Sequence, residues 1–96
     1  MSPNNKKKLN LIRIKLDKLD NKFLSLIRQR TGLVKEVLKL KEFKKEIVDQ
    51  KRINFILNKI KGKSKKLKID PKITNRIWKN MIWSYIDYER RNFKKK

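Results

Sequence analysis

The sequence predicts an all-α protein with three helices per chain, one long and two shorter, for which a dimer is expected. Only two Gly and two Pro residues interrupt the 96 residues, so turn signals are few and long helices are favoured. A chain this short buries barely enough apolar surface for independent stability, which favours oligomerisation. Residues 1–96 are expected to form one helical domain, with 1–8 and 93–96 as disordered basic tails.

The first helix is predicted from a heptad pattern. A continuous helix from about Lys6 to Phe43 would be on the order of 50 Å long, which is too long for so small a globule to cover. Its apolar seam must therefore pack against a second copy or against other long helices. Gly32 inside the run costs about 1 kcal/mol relative to Ala, but the surrounding periodicity favours one helix. The seam alternates steps of three and four through Leu9, Ile12, Leu16, Leu19, Phe23, Leu26, Leu33, Val37 and Leu40.

The two shorter helices follow a polar stretch at residues 42–46. Residues 62–64 are expected to end the second helix, and the basic run to Lys68 to form a solvated loop. Asp70 and Pro71 then predict the start of the third helix, as N-cap and first helical residue. The apolar positions are Ile47, Val48, Ile53, Ile56, Leu57 and Ile60 in the second segment, and Ile73, Ile77, Trp78, Met81, Ile82, Tyr85 and Ile86 in the third.

Composition excludes several kinds of chemistry. Because the chain has no Cys and no His, disulfides, thiolate nucleophiles, imidazole bases and the usual zinc ligand sets are excluded. We expect neither a metal site nor a cofactor. No apolar run approaches the roughly 20 residues that span a bilayer, and Met1 to Lys8 lack the core of a signal peptide. A soluble cytoplasmic protein without a membrane partner is expected.

The net charge of +21 raises the alternative of a basic helical module that binds nucleic acid. The lysines are scattered along the whole chain, however, and no nucleic-acid motif is present. Trp78 and Tyr85 fall on the apolar stripe of a helix, where packing in the core is the usual role of an aromatic residue. Nucleic-acid binding is therefore expected to be nonspecific, if it occurs.

One charged residue interrupts the seam of the first helix. Arg30 stands where Leu or Ile is expected, and a guanidinium there is costly unless it is paired. Arg30 either reaches solvent, pairs with a carboxylate or belongs to an anion site. Lys41 favours the anion site, since it lies eleven residues on, about three turns, and so shares a face with Arg30. The two cations can converge on one small anion.

Further polar residues have spacings that allow two interpretations. Arg13 lies roughly 25 Å from Arg30 along the helix, so only an antiparallel partner chain can bring it to the same ligand. Asp49 and Arg52 are three apart and face the same way, as a surface ion pair or as two site residues. Arg rather than Lys suits bidentate recognition of a carboxylate. Glu89 by itself is an ordinary polar-face residue of the third helix.

Five features of the sequence together follow a known pattern: Arg13-Ile-Lys-Leu-Asp-Lys-Leu-Asp20, Leu26-Ile-Arg-Gln-Arg30, the pair Lys39 and Lys41, Asp49-Gln-Lys-Arg52, and Ile77-Trp78 through Glu89. By their order and spacing, over about residues 9–90, the chain resembles the all-helical, or type II, chorismate mutase family. The resemblance implies a fold in which three helices per chain intertwine with a second chain. It also implies two equivalent sites, each of which borrows Arg13 from the partner.

The same resemblance implies rearrangement of chorismate to prephenate without a cofactor, in Phe and Tyr biosynthesis by the shikimate pathway. It implies that Arg30 binds a substrate carboxylate and that Arg52 lines the site. Asp49 would accept a hydrogen bond from the ring hydroxyl, and Lys41 and Glu89 would hydrogen-bond the ether oxygen. Lys41, Glu89 and Arg30 are the implied catalytic residues.

Two departures from the mutase pattern support an alternative. Ile53 stands where the mutases usually have Glu, and Tyr85 where many have Ser. Both resemble the related isochorismate pyruvate lyases, which share the fold and form salicylate and pyruvate, whereas Asp49 and Glu89 resemble a mutase. Ile53 and Tyr85 are candidate substrate-binding residues, and the substrate is chorismate or isochorismate. A third class is a structural dimerisation module without activity.

Overall fold

The computed structural model describes residues 1–95, and this range contains three α-helices and no strand. Helix α1 spans Pro3–Leu40, α2 spans Gln50–Lys66 and α3 spans Pro71–Asn92. A 3₁₀ helix at Lys44–Glu46 lies between α1 and α2. The prediction of an all-α chain with one long and two shorter helices is confirmed. Lys96, the last residue of the expected C-terminal tail, lies outside the described residues.

The chain divides into two compact units. The first is Met1–Leu33 and consists of most of α1. The second begins at Val34 and contains the end of α1, the 3₁₀ helix, α2 and α3. That the whole chain forms a single domain stays a prediction.

Helix α1 begins at Pro3, inside the segment that was expected to be a disordered tail. Ser2 Oγ accepts a hydrogen bond from Asn5 N at 3.2 Å, and Lys6 N donates to Ser2 O at 2.9 Å. Ser2 is thus the N-cap and Pro3 the first helical residue, which is a favourable start. The expectation for residues 3–8 is wrong because lysines on an exposed helix face do not prevent helix formation.

The apolar stripe of α1 in the first unit is exposed. Helix α1 is 38 residues long and buries none of its residues. In Met1–Leu33, five seam residues are 51 to 59% exposed: Ile12, Leu16, Leu19, Phe23 and Leu26. A continuous exposed apolar stripe of this kind is typical of a surface that packs against another helix or chain.

The core of the second unit is small. Its buried apolar side chains are four isoleucines, and four partly buried residues pack against them. Full burial of one such side chain contributes about 1.5–3 kcal/mol, so this core alone gives the unit limited stability. The buried set is Ile47, Ile53, Ile82 and Ile86, and the surrounding set is Val48, Ile56, Leu57 and Phe93.

Helix α2 runs past Gly62 and ends at Lys66, which corrects the expected end at residues 62–64. Lys68 has a φ of 57°, and Ile69 N donates to Ser64 O at 2.9 Å while Lys68 N donates to Lys65 O at 3.2 Å. These two bonds form a Schellman motif. The left-handed residue after the helix, not the interior glycine, therefore terminates α2.

Helix α3 starts as predicted, but its buried face is rotated from the expected one. Asp70 Oδ1 accepts from Lys72 N at 2.9 Å, and Pro71 is the first helical residue. Ile73 and Ile77 are 55% and 48% exposed and so lie outside the core. The buried residues of α3 are instead Thr74, Ile82, Ile86 and Glu89.

Candidate active site

A lysine and a glutamate from opposite ends of the second unit's sequence meet in an ion pair. Lys41 Nζ donates to Glu89 Oε2 at 2.6 Å. The two side chains are 17% and 9% exposed, respectively, so water screens their attraction only weakly. Removal of either partner would leave the other charge partly buried and unpaired, which is costly.

Lys41 is held between the end of α1 and a tight turn. Lys41 N donates to Leu38 O at 3.2 Å, directly after α1 ends. The Glu46 carboxylate accepts from Phe43 N at 2.8 Å and from Glu42 N at 2.7 Å. The hydrogen bonds from Phe43 N and Glu42 N lower the pKa of Glu46, because they favour its charged form. The turn that follows Lys41 is thus fixed by a single carboxylate.

Glu89 lies on the buried face of α3. Ile86 is three residues before Glu89 and Ile82 is seven before it, so all three share one side of the helix, and all three are buried. A carboxylate in such surroundings requires a partner, and Lys41 supplies one. Residue type alone predicts an ordinary glutamate on the polar face of α3. That prediction is wrong, because the Glu89 side chain is buried.

Asp49 and Arg52 occupy the first turn of α2. Asp49 Oδ1 accepts from Arg52 N at 3.0 Å, so Asp49 is the N-cap of the helix. The Arg52 guanidinium lies over the Phe55 ring, with 5.4 Å between Cζ and the ring centroid. No ion pair joins the side chains of Asp49 and Arg52 in the described part of the chain. The cap uses one of the two carboxylate oxygens of Asp49.

The two residues that depart from the mutase pattern have different surroundings. Ile53 is part of the buried isoleucine core. Tyr85 is half-buried and lies one turn before Glu89 on α3. The second unit therefore brings Lys41 to Glu89, and it places Ile53 within the packing of the core.

Arg13 and Arg30 lie on α1 in the first unit. Arg13 is exposed, whereas Arg30 is half-buried. Their separation of seventeen residues corresponds to roughly 25 Å along a helix. Within this unit they are too far apart to bind one small ligand, as the sequence predicts.

One contact near Lys41 was missed because it comes from the expected C-terminal tail. Lys95 Nζ donates to Lys39 O at 2.5 Å and to Lys41 O at 2.9 Å. Phe93, two residues earlier, packs against the isoleucine core. Residues 93–95 are thus in contact with the rest of the unit. The available signal was Phe93, which continues the buried stripe of α3 four residues after Glu89.

Residues 1–95 contain no group of three or more His, Cys, Asp or Glu side chains arranged to hold a metal ion. No helix in the same range combines the length and the apolar character that a membrane span requires.

Comparisons with known proteins identify the family. The family model for type II chorismate mutases matches residues 12–90. A chorismate mutase from Methanocaldococcus jannaschii is 36% identical over 76 residues, which are 78% of this chain and 77% of that protein. No solved structure gives a significant match. The chain therefore belongs to the type II chorismate mutase family. Its activity is that of a chorismate mutase, an isomerase, as the sequence resemblance implied.

Proposed function

We propose that the chain converts chorismate to prephenate by holding the substrate's ether oxygen between Lys41 and Glu89. The 2.6 Å contact between Lys41 Nζ and Glu89 Oε2 supports this proposal, because it brings two hydrogen-bonding groups to one point away from water. In the rearrangement the ether C–O bond breaks as a new C–C bond forms within the same molecule. Negative charge grows on the ether oxygen, and donors placed there lower the barrier.

In this proposal, substrate binding replaces the contact between Lys41 and Glu89 with hydrogen bonds from both residues to the ether oxygen. The Lys41 ammonium gives up Glu89 Oε2 and donates to the ether oxygen. Glu89 can donate to the same oxygen only in its protonated form, since an ionised carboxylate is an acceptor alone. The cost of separating a partly buried pair is offset by these contacts, which are strongest in the transition state.

The arginines are proposed to bind the two carboxylates of the substrate and to hold its flexible arm over the ring. Arg30 binds one carboxylate, and Arg13 reaches the site from a partner chain. Arg52 lines the site, while Asp49 accepts from the ring hydroxyl through the oxygen that does not cap α2. The planar guanidinium suits such bidentate contacts, and fixing the reactive conformation removes an entropic part of the barrier.

We further propose that the active form is an intertwined homodimer. The exposed apolar stripe of α1 in Met1–Leu33 supports this, because a second copy presents a matching stripe. A cytoplasmic location and a role in Phe and Tyr biosynthesis stay predictions. The absence of a resident cofactor is proposed on the chemistry alone, since an intramolecular rearrangement needs no electron or group carrier.

One assay tests the reaction. We expect the purified protein to convert chorismate to prephenate, and K41M to lower kcat/KM by about a hundredfold or more, as for loss of a preorganised donor. K35M removes a charge from an exposed residue near the end of α1 and should leave kcat/KM unchanged. Release of salicylate and pyruvate from isochorismate, with no prephenate from chorismate, would favour the lyase alternative that Ile53 and Tyr85 suggest.

A further inference from the structure

The C-terminal end of α1 is bound by a side chain from the end of the described chain. The last carbonyls of an α-helix have no partners within the helix and carry a partial negative charge. Lys95 Nζ donates to Lys39 O, inside the last turn, and to Lys41 O, directly after it. An ammonium group at this position satisfies both carbonyls and matches the sign of the helix end.

Phe93 brings Lys95 to this position. Helix α3 ends at Asn92, and Phe93 has extended backbone angles, φ −73° and ψ 121°. Its ring packs against the core that contains Ile82 and Ile86 of α3. The chain therefore turns away from the helix axis at a fixed point, and Lys95, two residues later, reaches the end of α1.

Lys95 and Glu89 bind two different groups of Lys41. Lys95 Nζ donates to the Lys41 carbonyl, and the Lys41 ammonium group donates to Glu89. Lys41 is outside the regular hydrogen bonding of α1, and its own N–H makes a long bond of 3.2 Å to Leu38 O. Without Lys95, the carbonyl of Lys41 would lose its cationic partner, and the backbone that carries the Lys41 side chain would be held less firmly. The Lys95 contact thus constrains the backbone of Lys41, and Glu89 constrains its ammonium group.

We propose that Lys95 is a positioning residue, which fixes the backbone of Lys41 so that its ammonium group is placed for the reaction. This inference rests on the proposed function of Lys41. Lys95 does not touch the substrate in this account. Its effect is transmitted through the peptide carbonyl of Lys41.

The test compares three variants of the full chain. K95M removes the ammonium group and keeps an unbranched side chain, K95R keeps donors for the two carbonyls, and K94M removes the charge of the neighbouring residue. We expect K95M to lower kcat by about tenfold, which a small displacement of a reacting group can produce. KM should change by less than about twofold, since the lost interaction belongs to the transition state. K95R should recover most of kcat, and K94M should match the wild type.

A second measurement does not depend on activity. The nuclear Overhauser effect between the Lys41 Cε protons and the Glu89 Cγ protons reports the contact of these side chains directly. It should weaken in K95M and remain in K95R and K94M. A stabilising role alone would lower the unfolding temperature of K95M but leave kcat of the folded protein and this signal unchanged.

The two readouts separate failure of this inference from failure of the proposed function. An active wild type with the same kcat in K95M would overturn the positioning role of Lys95 and leave the proposed reaction intact. A wild type without mutase activity would overturn the proposed function. In that case the Overhauser signal decides whether Lys95 positions Lys41, and an unchanged signal in K95M would refute it.

Discussion

At the scale of a single residue, Glu89 accepts a hydrogen bond in the free protein and donates one in the proposed reaction. In the described structure its carboxylate accepts from the Lys41 ammonium at 2.6 Å. In the proposed reaction it donates to an ether oxygen and must carry a proton. The negative charge of Glu89 that stabilises Lys41 in the free protein therefore prevents Glu89 from donating in the transition state. The pH dependence of the rate should show this effect.

We expect wild-type kcat to decline with rising pH, because Glu89 must carry a proton in order to donate to the ether oxygen. E89Q should keep its activity at high pH and flatten the profile, because an amide donates at every pH. The measurement is kcat and kcat/KM across the pH range in which the protein stays folded. D87N, on the exposed side of α3, is the matched control and should keep the wild-type profile. A pH-independent wild type, or an E89Q variant that is folded but inactive throughout, would remove Glu89 as a donor.

At the scale of elements, a pair of buried hydroxyl groups joins α2 to α3. Ser64 Oγ donates to Ile60 O at 2.6 Å and lies 2.7 Å from Thr74 Oγ1. A hydroxyl has one proton, so Ser64 accepts from Thr74 in this pair. The weaker alternative for Thr74 is Pro71 O at 3.4 Å. This hydrogen bond between the helices therefore depends on one acceptor oxygen in the last turn of α2.

S64A should lower the free energy of unfolding by about 1–3 kcal/mol, since it leaves the Thr74 hydroxyl buried without its acceptor. S84A is the matched control, because Ser84 Oγ donates to Asn80 O at 2.7 Å in the same way but is exposed. Its effect should stay within about 0.5 kcal/mol. Urea unfolding at one fixed protein concentration measures both. The double variant S64A/T74V should recover part of the loss, and equal effects of S64A and S84A would contradict this account.

The start of α3 and the long helix were predictable from sequence because their signals are local. The heptad spacing defined α1, and Asp70-Pro71 defined the start of α3. The end of α2 was not predictable, because Gly62 is compatible with a helix interior and a lysine such as Lys68 rarely takes a left-handed φ. A helix end that depends on a left-handed residue other than glycine is therefore hard to predict from sequence.

The candidate site was predictable only in part. Residue patterns alone indicated Arg30 and Lys41 as a cationic pair, and the family resemblance was needed to select Glu89. Its ion pair with Lys41 depends on how α3 packs in the second unit, and no spacing within one helix encodes that contact. The Lys95 contact was missed because three basic residues in a row indicate disorder by composition, although Phe93 anchors the segment.

At the scale of the whole molecule, apolar surface is distributed unevenly. The second unit buries four isoleucines, whereas the apolar stripe of the first unit is exposed along most of its length. Small single cores rarely stabilise a chain of this size alone. In the proposed dimer, pairing of two stripes would supply further burial and would bring Arg13 of one chain to the site of the other.

Shared sites should be detectable by mixing two inactive variants. R13A and R30A each damage both sites of their own homodimer, but a mixed dimer has one site with both lesions and one with neither. Refolding an equal mixture should restore about a quarter of wild-type activity, because about half of the dimers are mixed and each has one intact site. R13A mixed with the double variant R13A/R30A leaves no intact site and is the negative control. No recovery in the first mixture, with dimers verified by sedimentation, would refute shared sites.

In the proposed dimer, the exposed stripe of α1 would also connect activity to abundance. A site completed by two chains exists only in the associated fraction, and mass action determines that fraction. At chain concentrations well below the dissociation constant, the number of complete sites rises with the square of the concentration. A modest fall in expression would therefore reduce flux through the reaction more than proportionally, and the apolar surface exposed on separated chains would make them targets for proteolysis.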